Sequence, residues 1–166
     1  MSTPPSPRRW AILVVGVLAQ TGACAFVYGV PFLVPTLRDT LGLSLAAAGT
    51  YVAAPTVGLL LTLIAWGAAA DRFGERLVMG TGLTLTAAAV GVVALATPTA
   101  QPAVLALLAL GGAAGGSVFA ANGRMIMGWF PRTERGLAMG IRQTSQPLGV
   151  ALGGLVLPSL AQRIGP

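Results

Sequence analysis

The chain has four carboxylates, ten arginines, one cysteine and neither histidine nor lysine. Asp39, Asp71, Glu75 and Glu134 fall in expected loops or at helix ends, and no group of them has metal-ligand spacing. No Ser, Thr or Cys has a histidine to activate it as a nucleophile. No catalytic residue, bound metal or cofactor is therefore expected, and the chain does not read as an enzyme. Cys24 stands alone, so no intrachain disulfide can form. What remains is the chemistry of charges and amides beside apolar surface. Asp71 has Arg72, Arg76 or an arginine near the end of the fourth apolar run (Arg124) as possible ion-pair partners. Arg142 lies inside an apolar run, with Gln143 adjacent and Gln146 one turn on. Gln20, Cys24 and Tyr28 recur at steps of four, on one helical face.

The elements that must hold these residues are apolar helices. The composition is 55% hydrophobic and 8% charged, with mean hydropathy +0.81. A soluble domain is usually about a quarter charged. No charge occurs over residues 40–70 or 77–123. Stretches of this kind suit a bilayer, whose core needs about 20 apolar residues per helix. Five spans are expected, at about 11–34, 45–70, 77–96, 103–126 and 136–160, behind a short tail over residues 1–9. Ser44 is placed to cap the second span, and Pro102 suits the first turn of the fourth. Residues 97–102 read as a turn. The fold class is all-α, a polytopic membrane helix bundle. The partners expected are the lipid bilayer and a small-molecule substrate. Nucleic acid is not expected despite the net charge of +6, because the arginines form no continuous stripe.

The arginines set orientation. Arg8, Arg9, Arg72, Arg76, Arg124, Arg132 and Arg135 fall on one side of the spans, Arg38 and Arg163 on the other, and Arg142 within one. That bias puts the amino terminus and the Asp71 turn in the cytoplasm of a cell with an inner (plasma) membrane. Arg8-Arg9-Trp10 reads as an interfacial anchor. A cleaved signal peptide is the rival reading, with Thr21-Gly22-Ala23-Cys24 at its end, but the apolar run continues past Cys24.

Two segments resemble a known family. Gly67-Ala68-Ala69-Ala70-Asp71-Arg72-Phe73-Gly74-Glu75-Arg76 resembles the signature between the second and third helices of the major facilitator superfamily of transporters. Gly67, Ala70, Asp71, Arg72, Gly74 and Arg76 match that pattern. Ala69 stands for its usual Leu, and Glu75 replaces a basic residue. Gly128-Trp129-Phe130-Pro131-Arg132-Thr133-Glu134-Arg135-Gly136 resembles the segment joining the fourth and fifth helices, with Thr133 placed to cap the fifth. The resemblance implies a cytoplasmic latch at Gly67, Asp71, Arg72, Gly74 and Arg76. It implies that the first and fourth helices line a central cavity, which makes Gln20, Tyr28, Asn122 and Arg124 candidates for the pathway. Arg142, Gln143 and Gln146 join them from the fifth span, where Arg142, Gln146, Gly149 and Gly153 share one face. Gly140, Gly149 and Gly153 fit part of the antiporter glycine motif, with Gly154, Leu157 and Pro158 departing from it. No arginine occupies the first half of the fourth span, where many members carry one.

The function expected is transport of an unidentified small solute by a secondary carrier of this type. The chain would be a partial amino-terminal half, ending before a sixth helix. A second half-transporter chain is a possible companion, and a non-transporting scaffold or partner subunit is the alternative. Smaller features add to this. Gly67 is expected to let helices approach closely, Gly74 to take a positive φ, 111–116 to form a packing seam, and Pro147 to bend the fifth span.

Overall fold

The computed structural model describes residues 7–96 and 100–164. Most of the expected tail, and residues 97–99 of the expected turn, lie outside them. Seven α-helices and one short 3-10 turn make up the described fold, with no strand among these residues. Four helical stretches are long and apolar enough to cross a bilayer, over residues 8–41, 45–73, 75–95 and 101–129.

The first expected span is broken. Helix α1 (Arg8–Val27) stops at Tyr28, a 3-10 turn covers Val30–Leu33, and α2 (Val34–Leu41) continues to Gly42. Pro31 explains the break, since it has no N–H to give the Val27 carbonyl four residues back. Gly42 ends α2 in the left-handed region at φ +63°.

Helix α3 (Leu45–Phe73) starts as expected, with the Ser44 hydroxyl accepting from Ala47 N–H at 3.2 Å. It runs three residues past the expected end. Asp71 and Arg72 therefore belong to its last turn, not to a loop, and α4 (Glu75–Ala96) begins two residues after α3 ends. The whole reversal rests on Gly74, at φ +84° and ψ +153°. That conformation is open to glycine and strained by roughly 1–3 kcal/mol for any other residue.

Helix α5 (Gln101–Trp129) has Pro102 in its first turn and ends before Pro131. It extends beyond the expected 126, so Arg124 is inside the helix. Helix α6 (Arg135–Gln143) follows a turn, and its N-cap is Glu134 with no side-chain bond. The expected cap, Thr133, lies in the turn before it. Helix α7 (Ser145–Ile164) completes the described fold. The expected fifth span over 136–160 is thus divided at Thr144. Pro147 is the cause: lacking an N–H, it leaves the Gln143 carbonyl without its helical donor.

Helix α5 is the centre of the bundle. It packs against α3, α4 and α1, while α7 lies along α1. The seam with α3 is built on absent side chains. A Cβ at Gly58 would run into the Ala109 carbonyl, and one at Gly112 into the Pro55 carbonyl. Gly116 meets Thr62 and Leu59, as the expected 111–116 seam requires. Two hydrogen bonds cross the same seam, from Thr62 Oγ1 (2.8 Å) and Trp66 Nε1 (2.6 Å) to the Ala113 carbonyl. Gly149 and Gly153 similarly bring α7 against Thr21, Cys24, Ala25 and Gly29 of the first stretch. Gly67 does not behave as expected: nothing lies within 4 Å of a Cβ built there. A side chain there would meet open space among the described residues.

Candidate functional site

Three polar clusters interrupt this apolar bundle, two at one end and one within it. At the end where α3 reverses into α4, Asp71 and Glu75 bracket Gly74. The reversal points both carboxylates at α5. Arg124 Nη1 pairs with Asp71 Oδ1, and Arg124 Nε donates to Glu75 Oε1 at 3.1 Å. Of the three partners open to Asp71 in sequence, the fold selects Arg124. Arg72 instead lies over the ring of Phe73, at 5.4 Å from its centroid, and Arg76 is exposed. Glu75, which departs from the family pattern, becomes a second acceptor for the same arginine. Sequence reasoning missed this role. The signal was available, because a carboxylate four residues after Asp71 across a one-residue turn has to fall near it.

At the same end, Arg9 Nη1 lies 2.8 Å from Glu134 Oε2, opposite charges in contact without hydrogen-bond alignment. The guanidinium also sits 5.5 Å from the Phe130 ring centroid and 5.6 Å from that of Trp10. Trp10 meets Phe130 edge-on, with centroids 5.3 Å apart. The expected interfacial anchor thus also ties the start of α1 to the turn between α5 and α6.

The third cluster joins α1, α5 and α6. Asn122 is fully buried and Gln20 is 4% exposed. Asn122 Nδ2 donates to the Gly16 carbonyl (3.0 Å) and to Gln20 Oε1 (2.8 Å). Gln20 Oε1 also accepts from Arg142 Nη1 at 2.8 Å, and Arg142 Nη2 donates to Gln143 Oε1 at 2.5 Å. Gly16 makes room for this chain of amides. A Cβ at Gly16 would crowd Asn122 Oδ1, whereas one at Gly123 would make only ordinary contact with the Arg142 guanidinium. The fold therefore brings together Gln20, Asn122, Arg142 and Gln143. Two other candidates are not in this cluster. Tyr28 is half-buried with its ring edge-on to Phe119 at 6.4 Å. Gln146 is exposed. The row of α6 and α7 that meets α1 runs Arg142, Ser145, Gly149 and Gly153, and Ser145 Oγ donates to the Arg142 carbonyl at 2.5 Å. Of the two positions that can share that face, Ser145 is buried and Gln146 is exposed.

Buried interhelical hydrogen bonds in membrane bundles average roughly 0.6 kcal/mol and reach about 1.7. Asn122 makes two. Asn122→Ala is expected to lower stability by about 1–3 kcal/mol, measured as a lower midpoint of unfolding in detergent by circular dichroism.

Long uncharged helices, a glycine-hinged reversal with its carboxylates on one arginine, and a second aromatic and charged turn match one profile. The Major Facilitator Superfamily matches over residues 11–166. The chain belongs to the major facilitator superfamily. Among its relatives, an MFS-type transporter of Mycobacterium tuberculosis, described as uncharacterized, is 46% identical over 155 residues, which cover 93% of this chain and 34% of that protein. Probable anion transporter 6 of Oryza sativa subsp. japonica is 31% identical over 160 residues, 96% of this chain and 37% of that protein. The hexuronate transporter of Bacillus subtilis is 27% identical over 150 residues, 90% and 34% respectively. The chain therefore spans about a third of the length of the curated relatives it matches. As a superfamily member with apolar helices of membrane length, it is a multi-pass membrane protein of a transporter family.

Proposed function

We propose that this chain supplies amino-terminal helices of a secondary carrier for a small solute, with the Asp71–Arg124–Glu75 cluster acting as its cytoplasmic gate. The observation that carries the reading is the placement of that cluster. It joins the α3–α4 reversal to the central helix at the end of the bundle where seven of the ten arginines gather. Positive-inside bias puts this end, and the amino terminus, in the cytoplasm of a cell whose plasma membrane holds the carrier.

Magnitude separates a gate from a structural brace. Exposed ion pairs contribute about 0.2–1 kcal/mol each. A contribution of that size is suited to biasing two conformations, where each 1–2 kcal/mol shifts a population by a factor of about 5–30.

The test uses the carrier with both halves present, in proteoliposomes loaded with candidate solutes. Asp71→Asn is expected to slow exchange while leaving the amount of inserted protein unchanged. Exchange at the unaltered rate would remove the gate. Uptake by this chain with and without a companion half separates the carrier from a non-transporting scaffold or partner subunit.

A further inference from the structure

We propose that α4 carries a binding site for one anionic phospholipid, with the lipid phosphate on Arg76 and an acyl chain in the groove between α3 and α4. The site depends on the chain lying in a membrane and is independent of whether it transports.

Helices α3 and α4 diverge from the reversal at Gly74. Each lies along α5, and they meet each other far less. The space between them is a groove of about 650 Å³. Thr62, Trp66 and Ala69 of α3 form one wall, Leu85 and Val92 of α4 the other, and Leu110 of α5 is part of the floor. A second recess, of about 520 Å³, runs along α4 from Arg76 past Gly80 and Thr84 to Leu85. Leu85 lines both, so the two adjoin at that side chain. Gly80 keeps the path between them low, with nothing within 4 Å of a Cβ built there. From Arg76 to Leu85 is about 14 Å along the helix at 1.5 Å per residue. That is close to half of the ~30 Å hydrocarbon core. A headgroup at Arg76 therefore brings its acyl chain to the groove near the middle of the membrane.

The chemistry of the path changes along its length. Within it, the polar groups are already spent. Thr62 Oγ1 and Trp66 Nε1 both donate to the Ala113 carbonyl. Thr81 and Thr84 donate to the carbonyls of Leu77 and Gly80 in their own helix, each at 2.9 Å. A polar solute entering such a groove loses hydrogen bonds to water and regains none, whereas a hydrocarbon chain loses nothing. At the mouth the preference reverses. Arg76 is the one charged residue lining either recess, and it is exposed. Arg72 is exposed at the same reversal, while Asp71 and Glu75 are held on Arg124. A guanidinium binds phosphate oxygens in a fork. Charge complementarity at the mouth and hydrocarbon along the path together describe a phospholipid with net negative charge. A packed helix would match the groove alone.

The test reads the groove from inside, through Trp66. Trp10→Phe with Trp129→Phe leaves Trp66 as the only tryptophan of the chain. The protein is reconstituted in mixed vesicles of phosphatidylcholine and phosphatidylglycerol, with bromine on the acyl chains of one lipid or the other. Quenching of Trp66 then gives the relative affinity of the two lipids, and free phosphate gives no signal. Phosphatidylglycerol is expected to be favoured by about fivefold, the effect of one arginine on an anionic lipid. Arg76→Gln is expected to bring the ratio close to one, and Arg76→Lys to keep most of it. Arg38→Gln, on the exposed surface of α2 at the other end, is expected to leave it unchanged. Ala88→Leu narrows the groove without touching the charge, and is expected to lower quenching by both lipids. Equal quenching by the two lipids, a preference that survives Arg76→Gln, or quenching unaltered by Ala88→Leu would overturn the site. The same measurement on the complete carrier, with Trp66 its only tryptophan, is expected to give the same preference. A preference confined to the 166-residue chain would mean that another helix covers the groove, and would equally overturn it.

Discussion

Gly112→Ala is expected to destabilise the bundle, whereas Gly67→Ala is expected to leave its stability unchanged or raise it. The two changes are chemically identical, and both residues lie within helices. In a helix interior, replacing Gly by Ala is ordinarily favourable by roughly 0.5–1 kcal/mol, through the lower entropy lost on folding. That gain should be seen at Gly67, where a Cβ meets nothing within 4 Å. At Gly112 the new methyl would overlap the Pro55 carbonyl, and the atoms in its way are backbone, with no side chain to rotate aside. Overpacking of a tight interface costs about 1–3 kcal/mol, and more where the backbone must move. Helices α3 and α5 would have to separate, breaking the bonds from Thr62 and Trp66 to Ala113 as well. Unfolding midpoints in detergent, measured for both variants, check the opposite signs. Equal midpoints would mean that the α3–α5 seam is not held by this approach.

Arg124→Gln is expected to impair the complete carrier more than Asp71→Asn does. Asparagine at 71 removes one of the two charge pairs and leaves Glu75 on Arg124. Glutamine at 124 removes both, and leaves Asp71 and Glu75 as like charges on either side of Gly74. Like charges so placed repel, so the reversal itself is biased away from α5. With two pairs of up to about 1 kcal/mol each, the shift between conformations is on the order of tenfold in transport rate. The double variant Arg124→Gln with Asp71→Asn relieves part of that repulsion, so its effect should be smaller than the sum of the two. Initial rates of solute exchange in proteoliposomes, normalised to inserted protein, give all three values. A strictly additive double variant would show that the three side chains do not act as a unit.

Much of this molecule is written in local chemistry. The apolar runs, the cap at Ser44, the positive φ at Gly74 and the break before Pro147 all depend on residues within a few positions of one another. So does the membrane as solvent, which follows from composition alone. These features were legible because helix formation and termination are decided within a turn or two of the chain. The glycine seam at 111–116 was legible for a related reason: small residues at helical spacing leave a flat strip that another helix can use.

Partner choice was a different matter. Asp71 had three arginines to choose from, and sequence separation favoured Arg72 and Arg76. The crossing of α3 and α4 over α5 gave it Arg124, 53 positions away, and recruited Glu75 to the same guanidinium. The same crossing decided which glycines matter, burying Gly112 in the seam and leaving open space beside Gly67. Between the two positions that helical spacing allows beside Arg142, three and four residues on, the packing buries Ser145 and leaves Gln146 exposed. Arg142 shows the division most plainly. Sequence marked it as a charge in an apolar run. Only the assembled helices gave it two neutral amides and placed every carboxylate of the chain elsewhere, because charges pair by distance in space and their order along the chain does not set that distance.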